Sequence, residues 1–408
     1  VFISTTDSKV FLMVMSNIIV VGGGIAGTMT ALDLQKRGNK VTLIDRWEPG
    51  HARAASSDYN RVIRAISGKD EFYTRWARES RLRWLEMQAE TGQNLMYECG
   101  ALILATEGHS HWEDASAATF DKVGVPYYKF DKADITARFP QFRVPEIKYA
   151  LYEPEAGMLM AHRCVITGID LFKKAGGIVK RGHITTDITE KPHLDGKPLE
   201  ADVIIISTGA WMSDMFPKTI KPISAILGLP VFYTSTPNGS DSFDKEKMPC
   251  WIDHGQNSFG IPSSEGSGIK AMIAIPENID LDNDERLIRR ESLARTQSYI
   301  KHRFPALEGE KVVDSKFNQI IMTPDTHFVV DWHPEHENVL FAGGCSGHLF
   351  KHGPIFGEFV AGVAMGDYGT ADRLYVVRLS SSTNRKSNRY FYYSIFTWIW
   401  AALLVGPI

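Results

Sequence analysis

The sequence predicts an α/β chain, α+β overall, in which a Rossmann-type dinucleotide-binding domain carries an inserted substrate domain built on a mixed or antiparallel sheet. Three observations predict it. The run Gly22-Gly23-Gly24-Ile25-Ala26-Gly27 spells a glycine-rich turn between a strand-like apolar stretch and a helix-like one. From 229 to 276 strand-like runs dominate, broken by the loops PNGSDS and PSSEGSG. After 328 strands and a helix of small and apolar residues return, so the α/β character resumes beyond the insertion.

Composition bounds the reading. The chain has 408 residues, 44% hydrophobic and 23% charged, enough for more than one core, which excludes wholesale disorder. Lysine and arginine number 45 against 48 acids, a net charge of −3, so no nucleic-acid partner is expected. Cys99, Cys164, Cys250 and Cys345 form no CxxC pair, which argues against a zinc knuckle or a disulfide framework and for a reducing, intracellular compartment. No metal site is expected.

The elements follow in order. Residues 1–16 read as an N-terminal extension, in which a short apolar run without a small-residue cleavage site makes a poor signal peptide and Met13 or Met15 a natural start. A strand at 17–21, a helix at 26–36 and a strand at 40–44 make one βαβ unit. The interleaved apolar and charged residues at 70–91 predict an amphipathic helix that Gly92 ends. Strands are expected at 101–105, 150–152 and 203–207, and helices at 162–175 and 284–302. Strands at 328–331 and 338–342 and a helix at 353–365 complete the body. The cofactor-binding domain is expected at 17–90, 150–225 and 325–378, and the substrate domain at 91–149 and 226–324.

Residues 379–408 are a serine-rich, basic linker and an apolar tail. The nineteen residues 390–408 carry no charge and follow Arg385, Lys386 and Arg389. As a helix they would span about 28 Å, near the hydrocarbon thickness of a bilayer. A membrane tail anchor and an error of gene prediction are the two readings of this end.

In the glycine-rich turn, Gly22 makes the tight bend, Gly24 lets backbone reach a pyrophosphate, and Gly27 lets helix and strand pack closely. The helix N-terminus favours the negative charge. Asp45, at the end of the second strand, is placed to accept from a ribose hydroxyl, and an acid there argues against a 2′-phosphate. Arg46 and Ile184 are further expected cofactor contacts. A second fingerprint is absent, so one tightly held flavin is the economical cofactor.

Several segments, in order, carry a resemblance: VVGGGIAG through LIDRWEPG, SSDYNRVIRA at 56–65, YEPEAGMLM at 152–160, STGAW at 207–211, GIK at 268–270, TPDTHFVVDWHPEHENVLFAGG at 323–344 and CSGHLFK at 345–351. Together they resemble the monomeric sarcosine oxidase family, which includes fructosyl amino acid oxidases (amadoriases) and pipecolate oxidases. The resemblance implies a glutathione-reductase-2-like fold holding FAD and a small-molecule substrate, a secondary amine or an N-substituted or cyclic amino acid. It also implies hydride transfer from the α C–H to flavin N5, giving an imine, and reoxidation by O2 to H2O2. By position, Arg64 and Lys351 resemble the pair that holds the substrate carboxylate, and Lys351 also counts among the cofactor contacts. Lys270 resembles the lysine beside flavin N5 that promotes oxygen reduction, Arg61 an arginine near the flavin, and Gly347 a glycine of the substrate and flavin loop.

Any single Arg or Lys is more often a solvated surface charge. The apolar settings of Arg64 and Lys351 argue otherwise. His348, in the same loop, is either a hydrogen-bond partner or a packing residue, and His333 and His336 are assigned no role.

The sequence also departs from the family. Asn318 stands where many members have the cysteine that links FAD, so dissociable FAD is expected, Cys345 lying at a different position. Ala274 and Phe259 stand where sarcosine oxidase carries a histidine and a tyrosine, which makes the cavity less polar and favours a larger or more apolar amine. The rival readings are an amine dehydrogenase passing electrons to a carrier or quinone and a flavin-binding protein without turnover. A monomer is expected, cytoplasmic or peroxisomal, with membrane contact only through 390–408.

Overall fold

The computed structural model describes residues 15–287 and 289–368. Strand Asn17–Val21 is almost continuously apolar, as a parallel strand covered on both faces must be. It lies in the middle of a six-stranded sheet whose order is Val329–Trp332, Val339–Gly343, Val203–Ile206, Asn17–Val21, Lys40–Asp45 and Ile178–Arg181. All neighbours are parallel except the edge strand Val329–Trp332. Helices Ile25–Lys36, Ala161–Lys174 and Gly353–Ala364 cover one face, burying Ile18, Val20, Met29, Val165 and Phe356 in one core. The other face buries Val21, Ile204, Ile206, Phe216 and Phe341.

The second sheet has eight strands in the order Val312–Met322, Ala225–Thr234, Ile269–Ile273, Ser258–Ile261, Cys250–Asp253, Ala101–Thr106, Ile147–Glu153 and Tyr128–Phe130. It is antiparallel apart from the parallel pairing of Cys250–Asp253 with Ala101–Thr106. One face packs an aromatic core of Trp251, Phe304, Phe142 and Tyr299 under helix Arg290–Arg303. The opposite face, with Ala101, Ile103, Cys250 and Ile261, packs on Ala65 and Ile66. Those residues continue the short strand Arg61–Ile63. Helix Glu71–Thr91 starts at Asp70, whose side chain accepts from the Tyr73 amide at 3.2 Å, and ends at Gly92 with φ of 68°.

Two expectations need correction. The strand at 150–152 belongs to Ile147–Glu153 and pairs in the eight-stranded sheet, although the sequence grouped it with the cofactor-binding segments. Its apolar alternation suits either sheet, and the pairing with Ala101–Thr106 decides. The helix expected over 284–302 begins only at Arg290, because Arg286 has φ of 57°, which no interior helix residue adopts. Residues 1–14 of the N-terminal extension expected at 1–16, and the whole linker and tail at 379–408, lie outside the described residues. Among the described residues no helix is long and apolar enough to cross a membrane.

Candidate functional site

A cavity of about 400 Å³ opens at the carboxyl ends of the parallel strands, where open α/β sheets bind ligands. The glycine turn forms its floor. Gly22 has φ of 106°, and a Cβ there would stand 2.4 Å from the Ser207 carbonyl oxygen. A Cβ on Gly27 would lie 1.9 Å from the Gly22 carbonyl oxygen, so the helix closes onto the turn only with glycine at this position. A Cβ on Gly24 would meet only Ser56 Oγ, at 3.4 Å, leaving the start of helix Ile25–Lys36 open to the cavity. Ser56 Oγ accepts from the Ile25 amide at 3.1 Å.

Asp45 ends its strand at the cavity wall. Its carboxylate accepts from the amides of Gly23 and Trp47; burial pushes its pKa up, against the pull of those two donors. Arg46 lines the same cavity, paired with Asp282 at 2.7 Å, and Ile184 supplies a buried apolar wall. Ser207 Oγ, Thr208 Oγ1 and Gln319 Oε1 line it too, buried and without a hydrogen-bond partner among the described residues. Buried polar atoms without partners are costly unless a ligand meets them. The glycine cradle, the carboxylate of Asp45 and these unpartnered polar atoms fit a dinucleotide.

Beyond the cavity lie two clusters of charge. The first centres on Asp58, fully buried. Lys270 Nζ donates to Asp58 Oδ2 at 2.6 Å and to the Asn60 carbonyl at 2.8 Å. Asn318 Nδ2 donates to the same carboxylate at 3.1 Å, and Arg61 and the Tyr233 hydroxyl donate to it as well. Arg61 also bonds the Ala55 carbonyl at 2.6 Å and Asn318 Oδ1 at 3.2 Å. Burial alone would raise the Asp58 pKa, but Lys270 and Arg61 overcome it and hold the carboxylate well below the usual range. Lys270, 1% exposed, is brought down to about 8 by burial, with Asp58 opposing.

Strand register explains this cluster. Tyr233 pairs with Lys270, and Lys270 with Ile261, so these side chains share one sheet face with Phe259 and Met272.

The second cluster lies one strand-length on. Arg64 is half-buried past the end of strand Arg61–Ile63, with its guanidinium 5.7 Å from the Trp112 ring centre. Lys351 is buried, and its Nζ donates to the Arg64 carbonyl at 3.0 Å. The buried acid beside them, Glu153, accepts from the amides of Ala65 at 2.7 Å and Ile66 at 3.3 Å. Among the described residues neither Arg64 nor Lys351 belongs to an ion pair. Burial lowers Arg64 to about 10, and burial with Arg64 nearby takes Lys351 well below the ordinary lysine value. Burial also raises Glu153 and, together with Lys351, lowers His348 to about 3, so this imidazole is neutral. His348 Nε2 meets the Thr326 carbonyl oxygen at 2.9 Å.

The structure therefore brings Gly22, Gly24, Asp45, Arg46 and Ile184 to the cavity and Gly27 beneath its floor. It joins Arg61 to Lys270 through Asp58, and Arg64 to Lys351 directly. Gly347, with φ of 77°, bends the loop after strand Val339–Gly343 but is not part of the cavity lining. Sequence reasoning missed Asp58, Tyr233 and Glu153. Glu153 had a signal, since it falls in phase with Tyr149 and Leu151, which face the core that holds Ala65 and Ile66. Asp58 had only its spacing of three from Arg61.

The sheet order and the cradle define a dinucleotide-binding protein. Residues 17–362 match the FAD dependent oxidoreductase family (DAO), and the chain belongs to it. It is similar to the monomeric sarcosine oxidase of Bacillus sp. (strain B-0618), 29% identical over 369 residues, covering 86% of this chain and 92% of that one. The peroxisomal sarcosine oxidase of Homo sapiens is 25% identical over 361 residues, covering 85% and 91%. A solved structure of a modified fructosyl peptide oxidase from Aspergillus nidulans superposes with a TM-score of 0.77 at 20% identity, covering 90% of this chain and 94% of that one.

Proposed function

We propose that the chain is an FAD-dependent oxidase of an N-substituted or cyclic amino acid, with Arg64 and Lys351 holding the substrate carboxylate. The observation that carries this is the pair of cations without an ion-pair partner beside apolar walls. Buried charges are costly unless paired, and a carboxylate would complete them. The chemistry that FAD would supply there is acceptance of hydride from the substrate α-carbon and two-electron reduction of O2, with two protons, to H2O2. Gly22, Gly24, Asp45 and the polar atoms of Ser207, Thr208 and Gln319 would hold the cofactor.

The chain's own residues do the rest. Arg64 and Lys351 fix the carboxylate and so orient the amine and the α C–H. Neutral His348 leaves that anion to the two cations. Phe259 on the sheet face keeps the amine's surroundings apolar, which favours a neutral amine and a substituent larger than methyl. Lys270, held in place by Asp58, is a fixed positive charge for the negative charge that develops on oxygen. Asn318 bonds Arg61 and Asp58 and has no thiol to link a cofactor, so FAD dissociates on acid treatment. Four free cysteines suit a reducing cytoplasmic or peroxisomal setting.

The test uses the purified full chain. A flavin spectrum that an N-alkyl or cyclic amino acid bleaches anaerobically, and that air restores with release of peroxide, is expected. Bleaching without recovery in air would overturn the oxidase in favour of a dehydrogenase, and a protein that stays colourless with added FAD would remove the proposal altogether.

A further inference from the structure

We propose that Cys99 and Cys250 form an oxidation site at which hydrogen peroxide closes a disulfide. Their Sγ atoms lie 3.8 Å apart, and all four cysteines are free thiols. The backbone already aligns them. Cys250 opens strand Cys250–Asp253, and its amide donates to the Gly100 carbonyl at 3.0 Å. Gly100, with φ of 78°, turns the chain just after Cys99. Forming the bond needs the sulfurs to close to about 2 Å, a side-chain movement between strand Cys250–Asp253 and the loop residue just before strand Ala101–Thr106, which pairs with it.

The two thiols are unlike, in the way a reactive and a resolving cysteine must be. Cys99 is half-buried in the wall of a surface hollow with Arg138, Tyr152, Lys245 and Met248. The Cys250 thiol, donating to it, lowers the Cys99 pKa, with Lys245 assisting, whereas burial pushes the Cys250 thiol up. Burial raises Cys164 and Cys345 as well, so Cys99 is the one of the four whose pKa is lowered.

The chemistry balances with one peroxide. The Cys99 thiolate attacks one peroxide oxygen, the O–O bond breaks, and hydroxide leaves a sulfenic acid behind. Cys250 gives up its proton and attacks that sulfur; the S–S bond forms, the S–O bond breaks, and water leaves. Two thiols lose two electrons and two protons, and one peroxide becomes two waters.

The location gives the site its use. Trp251 pairs with Gly260, which sets Cys250 opposite Ile261, and Ile261 pairs with Lys270. Cys250 therefore lies on the same sheet face as Lys270, two strand spacings away, about 10 Å. On the oxidase reading, peroxide forms beside Lys270, so the dithiol stands in the path of the product.

The test treats the full chain with added hydrogen peroxide, which does not depend on that reading. Thiols counted after denaturation should fall from four to two. Peptides holding Cys99 and Cys250 should appear joined and lighter by two hydrogens, and dithiothreitol should reverse the change. At the same dose Cys99→Ser should keep its three thiols, and Cys250→Ser should leave a dimedone-reactive Cys99. Retention of all four thiols, or loss from Cys164 or Cys345 in their place, overturns the proposal. A second arm replaces added peroxide by amine substrate and air. The same joined peptides, suppressed by catalase, are expected; their absence there, when added peroxide forms them, overturns the oxidase reading and leaves the dithiol standing.

Discussion

The two charge clusters flank the same short strand, Arg61–Ile63, yet they are built on opposite principles. Around Asp58 the charges are closed: a buried carboxylate takes hydrogen bonds from Lys270, Arg61, Asn318 and Tyr233. Around Glu153 they are open, because the acid bonds to the backbone amides of Ala65 and Ile66 while, among the described residues, Arg64 and Lys351 hydrogen-bond to carbonyls alone. Each cluster sets two cations beside a buried acid, and in the second Asp70 acts on Lys351 as well. The first has its anion inside the cluster, and the second lacks a partner that touches its cations. A closed cluster positions a group, and an open one receives a ligand.

Breaking the closed cluster should have the largest effect on the fold. Asp58→Ala leaves Lys270 and Arg61 buried without their acid, which costs about 3–5 kcal/mol. Thermal unfolding should show it, and adding Lys270→Met should recover part of the loss. A variant as stable as the parent would mean that Asp58 does not organise the cluster.

The open cluster should respond in binding rather than stability. Arg64→Met removes a charge-assisted contact to the substrate carboxylate, about 2–3 kcal/mol, or roughly 30- to 200-fold in kcat/KM. Most of that loss should appear in KM, with a melting temperature close to the parent's. Esterified substrates should lose little on the same change. Equal losses for acid and ester would show that Arg64 does not read the carboxylate.

These comparisons also mark what the sequence could show. The glycine turn, Asp45 and the strand–helix–strand around them are local, so spacing within about thirty residues carries them. Arg61, Arg64, Lys270 and Lys351 were legible as charges in apolar or patterned runs. Their grouping was not. Asp58 meets Lys270 across 212 positions and Tyr233 across 175, and the register of Ala225–Thr234 against Ile269–Ile273 sets those two partners side by side. The strand Ile147–Glu153 was mis-grouped for the same reason: alternation reveals a strand and its inward face, and pairing across the chain decides the sheet.

A pH profile separates the clusters again. Lys270 sits at about 8, so its charge is complete below that pH and lost above it. The oxygen step, followed as reoxidation of reduced protein by air, should fall about tenfold for each pH unit above about 8. Lys270→Arg keeps the charge and should flatten the profile, while Lys270→Met should be slow throughout. The reductive step should not follow this titration.

The smallest effect is the sharpest test of openness. Glu153→Gln preserves one oxygen for the Ala65 amide and removes the negative charge nearest Arg64 and Lys351. In the closed cluster such a change would strand buried cations; here Asp70 still acts on Lys351, and on the proposed reading the substrate carboxylate is the anion that touches the pair. Its affinity should rise a few-fold, about 1 kcal/mol at partly buried distances, while stability falls less than in Asp58→Ala. Because burial already raises the Glu153 pKa, the gain should be greatest at high pH, where the parent acid is fully ionised. If the carboxylate instead binds more weakly in Glu153→Gln, Glu153 is a partner of the two cations as Asp58 is of Lys270, and the contrast between the clusters disappears.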